Sequence, residues 1–206
     1  MEDLLAAGLV SLGLDPEQQP CSQFIAYIGL LHKWNQTYNL TAIKQPEQML
    51  SRHVLDSLSV IPFIEGRRCL DVGTGAGLPG MILALAKPDT HWVLLDSNQK
   101  KVRFLRHVKA ELKVDNIEII QSRAEEFNPE TDFDTVICRA FAPLDRMLKQ
   151  TQHLITCNNQ LLAMKGKQVS DEIDKLGEHK FLIKVSNIRL SGDDTSATLV
   201  QIRRSE

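Results

Sequence analysis

From residue 67 onward this 206-residue chain alternates short apolar runs with amphipathic stretches, and that alternation limits its fold more than any other feature. The runs are Cys69–Val72, Trp92–Leu95, Ile117–Ile120, Thr135–Cys138 and Gln160–Met164, each bounded by polar or glycine residues. Between them, stretches such as Gly80–Ala86 and Lys100–Val114 have the spacing of helices. Runs apolar on both faces, separated by helices, predict a parallel sheet covered on both sides. The last two apolar segments, Phe181–Leu190 and Ala197–Arg203, are separated only by a polar turn containing Ser191-Gly192-Asp193-Asp194. Strands joined so briefly must be antiparallel, because a parallel pair needs a crossover. Before residue 67 the apolar spacing is helical: Phe24, Ile28 and Leu31, then Leu50, Val54, Leu58 and Ile61, with Pro46 opening the second stretch. The expectation is a doubly wound, mostly parallel α/β domain over residues 67–206, closed by a C-terminal antiparallel hairpin and preceded by a helical extension over 1–66.

Composition narrows the function classes. The chain is 43% hydrophobic and 24% charged, as in ordinary globular proteins, and only 5% aromatic, which argues against extended stacking platforms. Its net charge is −2, so a nucleic-acid partner would need a local basic patch. The start of the chain lacks the features of a signal peptide, and no run approaches the roughly 20 apolar residues of a membrane span. Cys21, Cys69, Cys138 and Cys157 form no C-x-x-C pair, which speaks against a zinc site or a disulfide framework. A cytoplasmic protein without a metal is expected, and a monomer.

The first apolar run ends in Asp71-Val72-Gly73-Thr74-Gly75-Ala76-Gly77, followed by Leu78-Pro79-Gly80 and a helix. Strand, glycine turn and helix N-terminus make a nucleotide-type pocket at the C-terminal edge of the sheet. Gly75–Gly80 also reads as G-x-G-x-x-G, the dinucleotide pattern. Three features favour S-adenosylmethionine over NAD. Asp71, two residues before the first glycine, would repel a pyrophosphate and suits the positive methionine part of the cofactor. The chain has one glycine turn and then a hairpin, where a dehydrogenase would have a second nucleotide-binding half. Asp96 ends the second run, where its carboxylate can accept from both ribose hydroxyls, although this suits NAD equally. Ala124 and Glu125, after the third run, are placed to contact adenine. The fold class is therefore that of class I S-adenosylmethionine-dependent methyltransferases.

The end of the fourth run reads Arg139-Ala140-Phe141-Ala142-Pro143 rather than Asn/Asp-Pro-Pro-aromatic, which disfavours transfer to an exocyclic amine. Cys138 lies near that strand end, but a cysteine in an apolar strand is more often packing than nucleophile. No Ser/His/Asp set or carboxylate pair is evident, so no acid/base catalytic residue is expected. Arg139 and Lys165, ending the fourth and fifth strands, are candidates for holding an acceptor base or its phosphates. Arg123 is a further candidate. His53 lies beside an apolar helical stripe, where a packed or capping histidine competes with a substrate contact. The helix Lys100–Lys113 places Phe104, Leu105, Val108 and Leu112 on one side and Arg103, Arg106, His107, Lys109 and Lys113 mostly on the other. That face is either plain solvated surface or a phosphate-tracking surface, and the N-terminal helices are a second candidate surface for folded RNA.

At these residues the sequence closely resembles the bacterial small-subunit ribosomal RNA methyltransferase G family, also called glucose-inhibited division protein B. The resemblance runs through Trp34-Asn35, Tyr38-Asn39-Leu40-Thr41, Arg52-His53-Val54-Leu55-Asp56-Ser57, Asp71–Gly80, Asp96-Ser97, Lys100-Lys101, Arg123-Ala124-Glu125, Arg139-Ala140 and Lys165-Gly166. It implies methyl transfer to N7 of a guanine, guanine 527, in the 530 loop of 16S ribosomal RNA. It also implies that Gly73, Leu78, Ala124, Glu125 and Arg139 contact the cofactor. The competing functions are a small-molecule methyltransferase and a non-catalytic nucleotide-binding regulator.

Overall fold

The computed structural model describes residues 1–166, 169–174, 176, 181–189 and 196–205. Helices come first: α1 (Glu2–Ser11), α2 (Cys21–Tyr38), α3 (Pro46–Met49), a π-helical turn over Leu50–Leu55, and α4 (Asp56–Leu58). Strands and helices then alternate as β1 (Arg68–Val72), α5 (Gly80–Ala86), β2 (His91–Leu95), α6 (Gln99–Leu112), β3 (Ile117–Ile120), β4 (Thr135–Arg139), α7 (Leu144–Thr151), β5 (Gln160–Lys165), α8 (Ser170–Asp174), β6 (Phe181–Arg189) and β7 (Ser196–Arg204). Local chemistry sets the ends of these helices. Pro46 occupies the first turn of α3, where its missing N–H costs nothing. The Asn98 side chain accepts from the Lys100 N–H to start α6, and Asn39 ends α2 in the left-handed region.

The sheet has seven strands in the order β3-β2-β1-β4-β5-β7-β6. β1 to β5 are parallel, and β7 enters antiparallel between β5 and β6. The expected C-terminal antiparallel pair is therefore present, with Phe181 opposite Arg204. Its connecting turn, Ser191-Gly192-Asp193-Asp194, lies outside the described residues. The strand order reverses between β1 and β4, and that switch point opens a crevice at the carboxyl ends of the strands.

Burial on both faces accounts for the apolar character of the inner strands, while Glu118 of the edge strand β3 is exposed. Leu70, Val72, Val136, Cys138 and Leu161 pack on α7 through Leu144, Met147 and Leu148. Cys69, Trp92, Leu94, Ile137 and Leu162 face α5 and α6. That second core also contains Leu5, Phe24, Tyr27, Leu31, Leu50, Val54 and Leu58, so the N-terminal helices share it rather than build their own. Tyr27, fully buried, donates from its hydroxyl to the Ala76 carbonyl at 2.8 Å, which ties α2 to the glycine turn.

Candidate active site

The turn after β1 is held by two carboxylates. The Gly73 and Thr74 N–H groups donate to the Leu95 carbonyl at 2.8 and 3.0 Å, and Gly75 N–H donates to Asp96 Oδ2 at 2.8 Å. Asp71 works from beneath: its Oδ2 accepts from Thr74 Oγ1 at 2.6 Å and from the Gly80 N–H at 2.7 Å. It is 0% exposed and is not in the lining of either cavity at this edge of the sheet, a position from which it braces the loop. Burial pushes its carboxyl up to about 7, against the hydrogen bonds from Thr74 and Gly80.

Two cavities open at the switch point. One, of about 320 Å³, is lined by Val72, Gly73, Leu95, Asp96, Ala124 and Glu125, among others. The second, of about 230 Å³, is lined by Leu40, Thr41, His53, Gly75, Leu78 and Arg139, among others. Both include Gly73, Lys101 and Ala140, so these residues form the seam between them. Ala140 has φ +47, an uncommon conformation for a residue with a Cβ, where the chain leaves β4 into the seam. Gly73 has φ +67, and a Cβ there would run into the Phe141 ring. Gly73→Ala is therefore expected to displace Phe141 and narrow both cavities, cutting cofactor affinity by about tenfold or more in calorimetry while the fold persists.

The first cavity suits S-adenosylmethionine on the chemistry of its walls. Asp96 is 7% exposed and spends one lone pair per oxygen on Gly75 N–H and Asn98 N–H, which leaves each oxygen free to accept from a ribose hydroxyl. Val72, Leu95 and Ala124 give apolar faces for a nucleoside, and Glu125 adds a second carboxylate. Arg123 lies on the exposed rim of the same cavity.

The remaining expected site residues divide. Gly75, Leu78, His53 and Arg139 line the second cavity. Gly77 does not; a Cβ there would run into Met81 Cβ at 2.7 Å and Leu105 at 2.9 Å, so glycine allows the helices to pack. Lys165 lines neither: 13% exposed, its Nζ donates to the Ala142 carbonyl at 2.8 Å and pairs with Glu172 Oε2 at 2.8 Å. It pins the loop after β4. Cys138 is buried on the α7 side, and burial pushes its thiol up, so it is a packing residue. Lys101 was not singled out from the sequence as a site residue, yet it lies at the seam, with Nζ 3.7 Å from Asp96 Oδ2. The available signal was its position in the first turn of the helix that follows Asp96.

Arg139 reaches across to the π-helical turn. Its NH2 donates to the Arg52 carbonyl and lies 3.9 Å from Asp56 Oδ2, and its NH1 donates to Ser57 Oγ at 3.5 Å. His53 joins the same knot. Its Nδ1 lies 3.1 Å from the Arg52 carbonyl, which can only accept, so Nδ1 carries the proton. Nε2 then accepts from Thr41 Oγ1 at 2.9 Å. Burial first, and then the Arg139 charge, lower the His53 pKa to about 4. A histidine lowered this way contributes stability that is complete above its ordinary 6.5 and is lost as pH falls toward 4. Asp71, raised from 3.8 to about 7, has the opposite slope: its cost is full above 7 and is relieved on acidification. The two slopes oppose each other between about 4 and 6.5 in the native chain. His53→Gln removes one of them, so its stability deficit relative to the unaltered chain should shrink by about 2 kcal/mol between pH 7 and 4.5 in urea titrations. A deficit independent of pH would overturn this assignment.

Among the described residues no helix is long and apolar enough to cross a membrane. A family model described as rRNA small subunit methyltransferase G matches residues 20–196. Proteins named ribosomal RNA small subunit methyltransferase G are 46% identical in Nitrosococcus oceani over 98% of this chain and 94% of theirs, and 44% identical in Escherichia coli over the whole of both chains. The magnesium protoporphyrin IX methyltransferase of Synechocystis, solved with its S-adenosylmethionine, superposes with a TM-score of 0.61 at 16% identity, covering 87% of this chain and 97% of its own; this likeness is one of fold. With the family model matched over most of its length and relatives aligned end to end, the chain belongs to the rRNA small subunit methyltransferase G family.

Proposed function

We propose that this chain transfers the methyl group of S-adenosylmethionine to N7 of guanine 527 in the 530 loop of 16S ribosomal RNA, acting as a cytoplasmic monomer on the RNA or on a small-subunit precursor. In this reading, residues 67–206 form the methyltransferase domain and the helical extension 1–66 walls the acceptor side. Bound in the larger cavity, the cofactor supplies an electrophilic methyl group carried on a sulfonium. Asp96, Gly73, Ala124 and Glu125 would hold it there.

The observation that carries the reading is the seam. Gly73, Lys101 and Ala140 belong to both cavities, and among the described residues the lining of the acceptor-side cavity contains no carboxylate. Its only imidazole is neutral, with both ring nitrogens engaged. A site with no base to offer suits an acceptor that needs none, and guanine N7 has a free lone pair and no proton to lose. The chain's own contribution is then positioning: Leu40, Ala76 and Leu78 give apolar contact to a base, and Arg139 and Lys101 give donors.

Incubation with methyl-labelled cofactor and small subunits lacking the modification tests this. Label at one guanine, with strand scission there after the reduction and aniline treatment that reports N7-methylguanine, is the expected result. Label on free metabolites and none on RNA would make it a small-molecule enzyme. Cofactor binding with no transfer to any acceptor would leave a regulator.

A further inference from the structure

Three aromatic rings stand in a row along the boundary of α2 and α6. Trp34 lies between Tyr38 and His107, its centroid 5.2 Å from each and tilted by 33° to each. Beneath it, Phe104 lies 5.6 Å away and is fully buried against Tyr27. The inner rings fill the seam between the helices, while Trp34, Tyr38 and His107, all half-buried, carry the stack to the surface.

Charge on these two helices is one-sided. Together they carry six lysine and arginine residues and a single carboxylate, Glu111, in a chain whose acids outnumber its bases. Lys109 is committed to the Ile117 carbonyl at 2.6 Å. Lys100 and Arg103 are exposed and fall at i and i+3, one helical row with His107 at i+7. The row leads into the site. Tyr38 is the last residue of α2, Asn39 turns the chain at φ +50, and Leu40 and Thr41 then line the acceptor-side cavity. Lys101, next to Lys100, also lines that cavity.

We propose that this row is the docking surface for the unpaired RNA strand beside the target base. Tyr38 is the ring on which the nucleotide next to the methylated guanine stacks, and Lys100 and Arg103 hold its phosphates. The proposal rests on the ribosomal RNA reading above. Polyanion chemistry follows from helices with cations and almost no carboxylates, and single-stranded RNA follows from rings whose helix ends two residues before Leu40 in the cavity lining. The low aromatic content of the chain fits a platform of one or two bases rather than an extended one.

The test uses the full chain and a hairpin RNA carrying the 530 loop. The chain has two tryptophans, and Trp92 is fully buried with its N–H on Thr90 Oγ1, so an emission change on binding reports Trp34. RNA is expected to quench that emission. Tyr38→Ala should weaken RNA binding about ten- to a hundredfold with S-adenosylhomocysteine affinity unchanged, and Tyr38→Phe should bind within about twofold of the unaltered chain. Lys100→Ala with Arg103→Ala, both at exposed side chains, should lower the slope of log Kd against log salt by about 1.4. An enzyme that labels RNA, with RNA affinity unaffected by Tyr38→Ala or a salt slope unaffected by the double change, overturns this surface alone. An unaltered chain that neither binds nor labels RNA overturns the functional reading, and the surface with it.

Discussion

Asp96→Ala is expected to lower the affinity for S-adenosylmethionine about a hundredfold. The carboxylate is asked for two hydrogen bonds to the ribose, each worth about 1.5 kcal/mol with a charged acceptor, so roughly 3 kcal/mol is at stake. The same change also removes the acceptor for the Gly75 and Asn98 N–H groups, so the turn loosens as its ligand contact is lost. Asp96→Asn separates the two effects. Its amide oxygen can replace one carboxylate oxygen, but its NH2 faces a backbone N–H on the other side, so an intermediate affinity is expected. Calorimetry with the cofactor reads both variants, and an affinity within about threefold of the unaltered chain for Asp96→Ala would place the nucleoside elsewhere.

Arg139→Ala should be the most damaging single change in both stability and activity. The guanidinium reaches the Arg52 carbonyl, Ser57 Oγ and the Asp56 carboxylate, joining the end of β4 to the π-helical turn. Asp56 is 4% exposed, and taking one cation from a buried carboxylate costs about 3 kcal/mol, equivalent to roughly 8 °C in Tm for a chain of this size. Arg139→Lys should recover little of this, because a single ammonium cannot span three acceptors in a planar fork. Methyl transfer is expected to fall even at temperatures well below the lowered Tm, because the same side chain lines the acceptor-side cavity. Normal transfer by a folded Arg139→Ala protein would reduce the residue to a structural tie.

The architecture was legible because each strand announces itself: five short apolar runs alternating with helical stretches require a sheet covered on both sides, and the brief link before residue 196 requires antiparallel pairing. The glycine turn and Asp96 were legible for the same reason, since both follow parallel strands at the carboxyl edge of the sheet. Other features depend on contacts distant in sequence. Asp71 and Asp96 look alike as acids ending adjacent strands, and only packing sends one beneath the turn and the other into the cavity. Lys165 ends a strand as Arg139 does, but Glu172 and the Ala142 carbonyl lie within its reach and claim its amine. Lys101 was hidden within a run of cations whose other members face elsewhere. The shared core of the N-terminal helices was also unreadable, because a helical stripe states what it must bury but not against what.

The late position of β7 in the chain has a consequence for synthesis. β5 is bordered on one side by β4 and on the other only by β7, so until residues 196–204 are made it is an open edge flanked by fully buried Leu161, Leu162 and Ala163. Nascent or truncated chains that stop short of β7 would present that edge to one another, a template for aggregation. Premature termination late in the message is therefore expected to give insoluble protein rather than a weakened enzyme, although every residue of both cavities would already be in place.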